Sequence, residues 1–284
     1  MLFRQPEYST RTASPADRNA LTAFTHRASR VHAHLDWQPA EDWLGSAPFL
    51  VLEDGQRLLG ALACPPDPPD TAWIRLLAFT SRTGAPEWNQ LWPAARTELE
   101  RLGVREAAVL SLAGWIDSLC LQAGFVRTHQ VVVLSRSANA PPEFSPSPAQ
   151  IRPARPADEA AMIAADTGAF APPWQHSPML LRKAFKRASY LSVAELDGQV
   201  VGYQLSTPGV QGMHLARLAV LPAWQRRGIG AALLADMLAF CAQGATRAVT
   251  VNTQDTNQVS LTLYQRLGFS LTGVRYPVYQ LALA

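Results

Sequence analysis

The sequence has little that points to a secreted, membrane or nucleic-acid-binding protein. Its three cysteines, Cys64, Cys120 and Cys241, lie far apart and form no C-x-x-C pair, so we expect a reducing compartment and no disulfide framework. The first residues lack an apolar signal core, and no run of about 18 apolar residues occurs. The net charge of +3 argues against a broad basic field that would hold nucleic acid. These absences predict a cytoplasmic protein with no nucleic-acid or membrane partner.

Length and composition predict two folded domains. A chain of 284 residues is about twice the ordinary size of a domain. Hydrophobic residues make up 48% of the chain, enough for real cores, and charged residues make up 17%, against about 25% in a typical globular protein. Global disorder is therefore not expected.

The chain contains an internal repeat. Four short segments recur in the same order at offsets of 141 to 144 residues. The matching pairs are residues 13–17 with 154–158, 53–56 with 196–199, 77–79 with 218–220, and 124–125 with 268–269. Each match is weak by itself, but four in one order at nearly one offset indicate a duplication with loop insertions and deletions.

A proline-rich segment lies between the two copies. Residues 137–149 contain four prolines among small polar residues, a composition typical of an extended, semi-rigid linker. We therefore predict a first domain over residues 1–136, a linker over 137–149 with the boundary near residue 145, and a second domain over 150–284.

Hydrophobic patterning predicts interleaved strands and helices in each copy. Asp197-Gly198 stands between two strand-like runs and indicates a hairpin, and Asp54-Gly55 has the same place in the first copy. The following elements of the second copy are a strand over 213–221, a helix over 229–243, a strand over 246–251, a helix over 257–267 and a strand over 278–282. This order predicts a mixed α/β fold.

The most informative segment of the second copy is a loop that leads from a strand into a helix. Gly228, Gly230 and Ala231 keep the backbone bare there, and N–H groups at a helix start form an anion site that the helix dipole strengthens. Arg226 and Arg227 place two cations where a first helical turn normally prefers Asp or Glu. This conflict with the local rule indicates an anionic ligand.

Two common phosphate motifs do not match this loop. No Gly-Lys-Ser/Thr follows it, and the first glycine of G-x-G-x-x-G is missing. Instead, Q-x-x-G-x-G over residues 225–230, with Leu-Ala-Val before it and Asn…Tyr…Leu-Gly-Phe over 257–269 after it, resembles the acetyl-CoA signature of the GNAT acetyltransferase superfamily. The resemblance covers roughly residues 150–284.

The resemblance implies an α/β fold of two tandem GNAT-like acetyltransferase domains, each a central mixed, mostly antiparallel sheet flanked by helices. It implies acetyl-CoA as co-substrate and direct attack by an amine of a small molecule or peptide in a ternary complex. The implied cofactor-binding residues are Leu218, Ala219, Val220, Gln225, Arg226, Arg227, Gly228, Ile229, Gly230, Ala231 and Asn257. The strand backbone would pair with pantetheine, the loop amides would bind the pyrophosphate, and the Val220 amide would face the thioester oxygen.

Two side chains receive catalytic roles, and no metal site is predicted. In the family a tyrosine at the position of Tyr264 protonates the leaving CoA thiolate, whose thiol has a pKa of about 8.5. An aliphatic amine, with a pKa of about 10.4, must lose a proton before it attacks. His214 is the candidate base, because it is expected to share a strand face with Ala216 and Leu218, and Glu195 is the other candidate.

Several alternatives stay open at this point. Asn257 is at least a good N-cap, Tyr264 is also consistent with packing, and the two loop arginines are consistent with ordinary surface charges. Residues 170–176 have the position of the family's acceptor loop, where their aromatic side chains would line a substrate pocket or cover the core.

The first copy lacks the cofactor motif. Its repeated strand is followed by residues 80–86 without Q-x-x-G-x-G, and Pro86 removes an N–H near the equivalent anion site. Cys120 stands where the repeat aligns Tyr264. We therefore expect a degenerate first copy that binds CoA poorly and one active site in the second. The alternatives are a non-catalytic CoA-binding or sensing module and an interaction protein with a relict fold.

Overall fold

The computed structural model describes residues 8–138, 147–210, 212–244 and 246–283. Contacts divide the chain into two compact units, residues 1–128 with 277–284 and residues 129–276. Each unit has mostly antiparallel strands covered by helices, which confirms the predicted fold class. Among the described helices, none combines the length and the apolar character that a membrane crossing needs.

The first unit contains two groups of strands. An antiparallel sheet has the order β1-β3-β4-β6-β2, and β7 pairs in parallel with β5 and antiparallel with the end of β14. Its elements are β1 (Tyr8–Thr12), α1 (Arg18–Thr25), β2 (Arg30–Ala33), β3 (Phe49–Asp54), β4 (Arg57–Ala63), β5 (Thr71–Trp73), β6 (Leu76–Phe79), α2 (Ala85–Arg101), β7 (Glu106–Leu110) and α3 (Asp117–Gln122).

The second unit is built on the strand order β14-β8-β13-β12-β11-β10-β9. Strands β12 and β13 run parallel, whereas β8–β13, β11–β12, β10–β11 and β9–β10 are antiparallel. Its elements are β8 (Val126–Ser137), β9 (Gln150–Pro153), α4 (Glu159–Ala169), α5 (Pro178–Arg187), β10 (Tyr190–Leu196), β11 (Gln199–Gly209), β12 (Gly212–Val220), α6 (Ile229–Ala242), β13 (Ala248–Gln254), α7 (Gln258–Arg266) and β14 (Ser270–Ala282).

The predicted hairpin of the second copy is confirmed in detail. Leu196 pairs with Gln199, so Asp197 and Gly198 form the two-residue turn, with φ angles of 51° and 76°. Positive φ at both turn residues matches the right-handed twist of the strands. In the first copy the turn lies one residue later, because Asp54 pairs with Arg57.

The last strands of the two copies change places. Residues 131–137 of β8 pair with β13 in the second unit, whereas residues 278–282 of β14 pair with β7 in the first unit. The limits of the compact units therefore differ from the predicted domain ranges of 1–136 and 150–284. Those ranges follow the repeated sequence, and they stay a prediction. In the predicted linker 137–149, residues 139–146, including the boundary near 145, lie outside the described residues.

Candidate active site

The second unit contains a cavity of ≈ 1230 Å³. Nine of the eleven residues predicted to bind the cofactor line it, namely Leu218, Val220, Gln225, Arg226, Gly228, Ile229, Gly230, Ala231 and Asn257. Ala219 and Arg227 do not line it. The Arg227 guanidinium lies instead over the Trp224 ring, 4.8 Å from its centroid. The fold therefore gathers the predicted loop and strand around one space, while their binding roles stay predictions.

The cavity opens where β12 and β13 separate. Among the described residues, their parallel pairing ends at Leu215 and Val251. Beyond this point β13 continues to pair with β8, and β12 continues to pair with β11. Leu218 and Val220 line one side of the gap and Gln254 lines the other. The gap leaves the β13-facing edge of β12 open to a ligand, because no described strand lies opposite the backbone donors and acceptors there.

A β-bulge in β12 reverses the direction of its side chains. Leu205 pairs with Arg217 and the adjacent Ser206 pairs with Leu215, so Ala216 has no residue opposite it on β11. As a result, Leu215 points to the core under α6, and Arg217, two residues later, points to the other face. The side-chain alternation of this strand therefore breaks at Ala216.

The bulge corrects the expected position of His214. Leu215 and Leu218 pack in the same core cluster, so His214 lies on the opposite face from Leu218, and the prediction of a shared face was wrong. Its Nδ1 lies 2.9 Å from Thr250 Oγ1, burial lowers the pKa of its imidazole, and it is not among the residues that line the cavity. Its role as base stays a prediction.

The loop before α6 has a backbone of alternating handedness. Arg226 and Gly228 have φ angles of 60° and 79°, whereas Arg227 between them is not in the positive region. Alternation of this kind turns successive N–H groups to one side and forms an anion-binding concavity. The conformation of Arg226 is strained for a residue with a Cβ, and such strain tends to occur at functional sites. Gln225 braces the loop, because its Nε2 donates to the Val220 carbonyl at 3.0 Å.

The positive charge of this loop has no carboxylate partner among the described residues of the second unit. Arg226 and Arg227 are exposed, and the first turn of α6 contains no acidic residue. In the described part of the second unit, carboxylates pair instead with Arg152, Arg182 and Arg217. The open cations and the start of α6 therefore favour an anion at this end of the cavity.

The α7 end of the cavity contains one predicted ligand residue and several that sequence reasoning missed. The Asn257 side chain accepts from Ser260 N at 3.1 Å, so it caps α7 and lines the cavity as well. Gln254, Thr256 and Arg266 also line it, and none of them was predicted. Their positions depend on the turn between β13 and α7, which carries no distinctive sequence motif.

Tyr264 lies in the core and not at the cavity surface. Its side chain is 5% exposed and packs near Phe269, with ring centroids 6.0 Å apart, and burial raises its pKa to about 12. Leu263 and Leu267 of the same helix line the cavity instead. The assignment of Tyr264 as the acid stays a prediction.

Glu195, the second candidate base, is engaged elsewhere. Its carboxylate lies 2.6 Å from the Arg152 guanidinium, which also binds Asp158 at 2.7 Å. Glu195 is not among the residues that line the cavity. This ion pair supports the simpler interpretation of Glu195 as a structural residue of the hairpin.

A buried ion pair holds the aromatic segment between α4 and α5. Arg217 donates through Nε and a terminal nitrogen to both oxygens of Asp166, at 2.7 and 2.8 Å, and Tyr203 donates to the same carboxylate at 2.5 Å. The guanidinium also donates to the Trp174 carbonyl at 2.8 Å and lies 3.5 Å from the Phe170 ring centroid. Phe170 and Trp174 line the cavity, so this network positions one of its walls.

His129 is a further lining residue that the sequence analysis missed. It lies on β8, where the second unit begins, and its ring centroid is 5.7 Å from that of Trp174. In sequence it belongs to the last strand of the first copy, so no local signal connects it to the second. Only the exchange of strands brings it to this cavity.

Comparison with known proteins agrees with this architecture. Residues 160–269 match the sequence model of the Acetyltransferase (GNAT) family. The matched residues lie within the second unit, which therefore contains a GNAT acetyltransferase domain. An uncharacterized N-acetyltransferase of Mycobacterium tuberculosis (strain ATCC 25618 / H37Rv) is 29% identical over 134 residues, which cover 42% of this chain and 86% of that protein. An N-alpha-acetyltransferase of Sulfurisphaera tokodaii is 37% identical over 91 residues, which cover 27% of this chain and 54% of that protein.

Solved structures share the fold over the whole length. A GCN5-related N-acetyltransferase from Sphaerobacter thermophilus aligns with a TM-score of 0.65 at 16% identity and covers 99% of this chain and 97% of its own. A tandem GNAT protein from the clavulanic acid biosynthesis pathway aligns with a TM-score of 0.64 at 17% identity and covers 98% and 99% of the two chains. At these identities the likeness shows a shared fold, and the assignment as an acetyltransferase rests on the family match of the second unit.

The first GNAT-like unit fills the equivalent helix start with its own anion. Gly84 precedes α2 with a φ of 73°, much as Gly228 precedes α6. The buried Glu87 carboxylate accepts from Ser81 N at 2.7 Å and from the Thr80 hydroxyl at 2.9 Å. A carboxylate at this place satisfies donors that a phosphate would need and repels a phosphate.

Proposed function

We propose that this GNAT enzyme transfers the acetyl group of acetyl-CoA directly to an amine of a small molecule or peptide, with both substrates bound together. One observation carries the proposal: a single cavity is lined by the anion-binding loop, by the parted strands and by the aromatic segment. In such an arrangement the acetyl group passes directly from donor to acceptor, because both substrates bind in the same cavity.

The loop end of the cavity suits the pyrophosphate of CoA. Its strained, alternating backbone presents amides, and Arg226 adds a charge at the cavity surface. Arg266 adds a second cation from the other helix. A diphosphate would satisfy both kinds of donor.

The strand end suits the thioester. Leu221 N donates to the Val201 carbonyl of β11 at 2.9 Å, so the alternation of a strand turns the neighbouring Val220 N–H towards the gap. A donor at this place stabilises the negative charge that develops on the thioester oxygen during attack. The acceptor amine would approach from the wall that Phe170 and Trp174 form.

A matched pair of substitutions at Gly230 tests the pyrophosphate site. Gly230 is the second residue of α6, and a Cβ there would meet Leu263 at 3.5 Å, an ordinary contact. An aspartate at a helix start is favourable for folding but repels a phosphate. We expect G230D to lower acetyl-CoA affinity, measured by calorimetry on the full chain, at least tenfold more than G230N, or about 1.4 kcal/mol.

The neutral variant separates charge from size. G230N and G230D add side chains of nearly equal volume, so steric exclusion would weaken both equally. Equal affinities in the two variants, with wild-type protein binding acetyl-CoA, would place the pyrophosphate elsewhere. Absence of binding by the wild-type chain would contradict the proposed donor.

We expect one acetyl-CoA per chain. The helix start of the first unit holds the Glu87 carboxylate, whereas the first turn of α6 in the second unit contains no acidic residue. Titration of the full chain at protein concentrations well above Kd gives the stoichiometry directly. Two equivalents bound per chain would contradict the interpretation of the first unit as degenerate.

A further inference from the structure

Among the described residues that line the cavity, one side chain is able to accept a proton near neutral pH. Its charged or titratable lining residues, within the described chain, are Arg226, Arg266 and His129, and the two arginines stay protonated. We propose that His129 is the catalytic base that takes the proton from the acceptor amine. This inference rests on the proposed acetyl-CoA site and adds to it the residue that activates the acceptor.

The position of His129 fits this role. Its ring lies against Trp174, whose carbonyl is held by the Arg217 guanidinium at 2.8 Å. Across the sheet, Val131 pairs with Gln254, which lines the gap between the parted strands. His129 thus stands between the aromatic wall, where the acceptor would bind, and the strand gap, where the thioester would lie.

The surroundings of His129 favour the neutral imidazole. It is half-buried, and burial lowers its pKa, an effect that the negative charge of Asp255 partly opposes. Asp255 itself accepts from Gln130 N at 3.1 Å and from the Gln130 side chain at 3.4 Å. A neutral imidazole is the form that accepts a proton.

The two bases suggested by the sequence are less well placed. His214 does not line the cavity, and its Nδ1 lies next to Thr250 Oγ1. Glu195 forms an ion pair with Arg152. Of these three side chains, only His129 meets the space where the amine must lose its proton.

The reaction balances with His129 as the base. The imidazole takes one proton from the ammonium, and the freed lone pair of the amine forms the C–N bond at the thioester carbonyl carbon. The C–S bond then breaks, its electron pair leaves with the CoA sulfur, and the second nitrogen proton goes to that thiolate. The imidazolium returns its proton to water, so the products are the amide, CoA thiol and one proton.

Bromoacetyl-CoA tests this position without an identified acceptor. Its CH2 carbon occupies the place of the acetyl methyl group, and a nearby imidazole nitrogen displaces bromide to form a stable N–C bond. Burial raises the pKa of Cys64, Cys120 and Cys241, so their thiols do not compete. We expect covalent labelling of His129, located by peptide mass spectrometry, that excess acetyl-CoA prevents.

Variants assign the label. We expect H129Q to lower the labelling rate at least tenfold, while H26Q in the first unit leaves it unchanged and thermal unfolding confirms that both variants fold. The labelling rate of wild-type protein should rise with pH and reach half of its maximum below about pH 6.5, the ordinary pKa of histidine.

The outcomes distinguish the inference from the function on which it rests. Labelling of His214, or no labelling in a chain that binds acetyl-CoA by calorimetry, would overturn the role of His129 and leave the proposed function intact. Failure of both acetyl-CoA binding and labelling would overturn the proposed function. Labelling at His129 with the expected midpoint supports the proposal.

Discussion

Replacing Asp166 with alanine is expected to destabilise the second unit by about 3–5 kcal/mol, because an unpaired charge would remain buried. Asp166 is 0% exposed, and the Arg217 guanidinium that it binds through both oxygens is almost as deeply buried. Burial and the nearby carboxylate raise the pKa of Tyr203, so its hydroxyl stays a donor, and D166A removes its acceptor too. Urea unfolding followed by circular dichroism measures the loss.

An exposed ion pair made by another carboxylate of α4 provides the control. Glu159 of α4 binds Arg182 at 2.8 Å, but both side chains are about half exposed. E159A is therefore expected to cost no more than about 1 kcal/mol. Similar losses in D166A and E159A would show that the buried network contributes little. A conservative variant, D166N, keeps part of the hydrogen bonding and should fall between the two.

Replacing both loop arginines with alanine is expected to weaken acetyl-CoA binding by about 10²- to 10⁴-fold. Charge-assisted hydrogen bonds contribute about 1.5–3 kcal/mol each, and R226A/R227A removes two potential sources of them. Since neither arginine has an ion pair in the described part of the second unit, the folded protein should lose little stability. Calorimetry on the full chain measures the affinity.

A second double variant separates local contact from net charge. Lys186 and Arg187 are exposed at the end of α5 and do not line the cavity, so K186A/R187A removes the same charge from another surface. We expect less than a threefold change in affinity there. Equal losses in the two double variants would indicate long-range attraction and not a pyrophosphate site. The affinity of the wild-type chain should also fall with rising salt more steeply than that of R226A/R227A.

Most of the local structure of the second copy was predictable because its signals lie within a few residues. Asp197-Gly198 makes a two-residue hairpin turn, Asn257 caps α7, and Gly268 follows that helix with a φ of 82°. These features depend on backbone preferences of single residues, which the sequence displays directly. The order of strand, loop and helix around Gly228 was predictable for the same reason.

The arrangement around the cavity was less predictable because it depends on pairing between distant residues. One unpaired residue, Ala216, reverses the strand alternation and moves His214 off the face of Leu218. No composition rule marks such a bulge in advance. Tyr264 aligned with a family motif, yet the rotation of α7 places Leu263 and Leu267 at the cavity and Tyr264 in the core.

The sequence by itself predicted the GNAT relationship and the fold class, and it suggested the duplication, the anion loop of the second copy and the loss of that loop in the first, which stay predictions. Each of these is a short-range pattern whose chemistry follows from neighbouring residues. Only the tertiary structure decided that β8 and β14 change places, that His129 lines the cavity of the second unit, and that Asp166 and Arg217 hold its aromatic wall. These contacts join residues that are tens of positions apart in the sequence. In addition, two strands of similar sequence present similar hydrogen-bonding edges, so either could pair with the same neighbour. Which edge each strand takes is a matter of packing, not of local sequence.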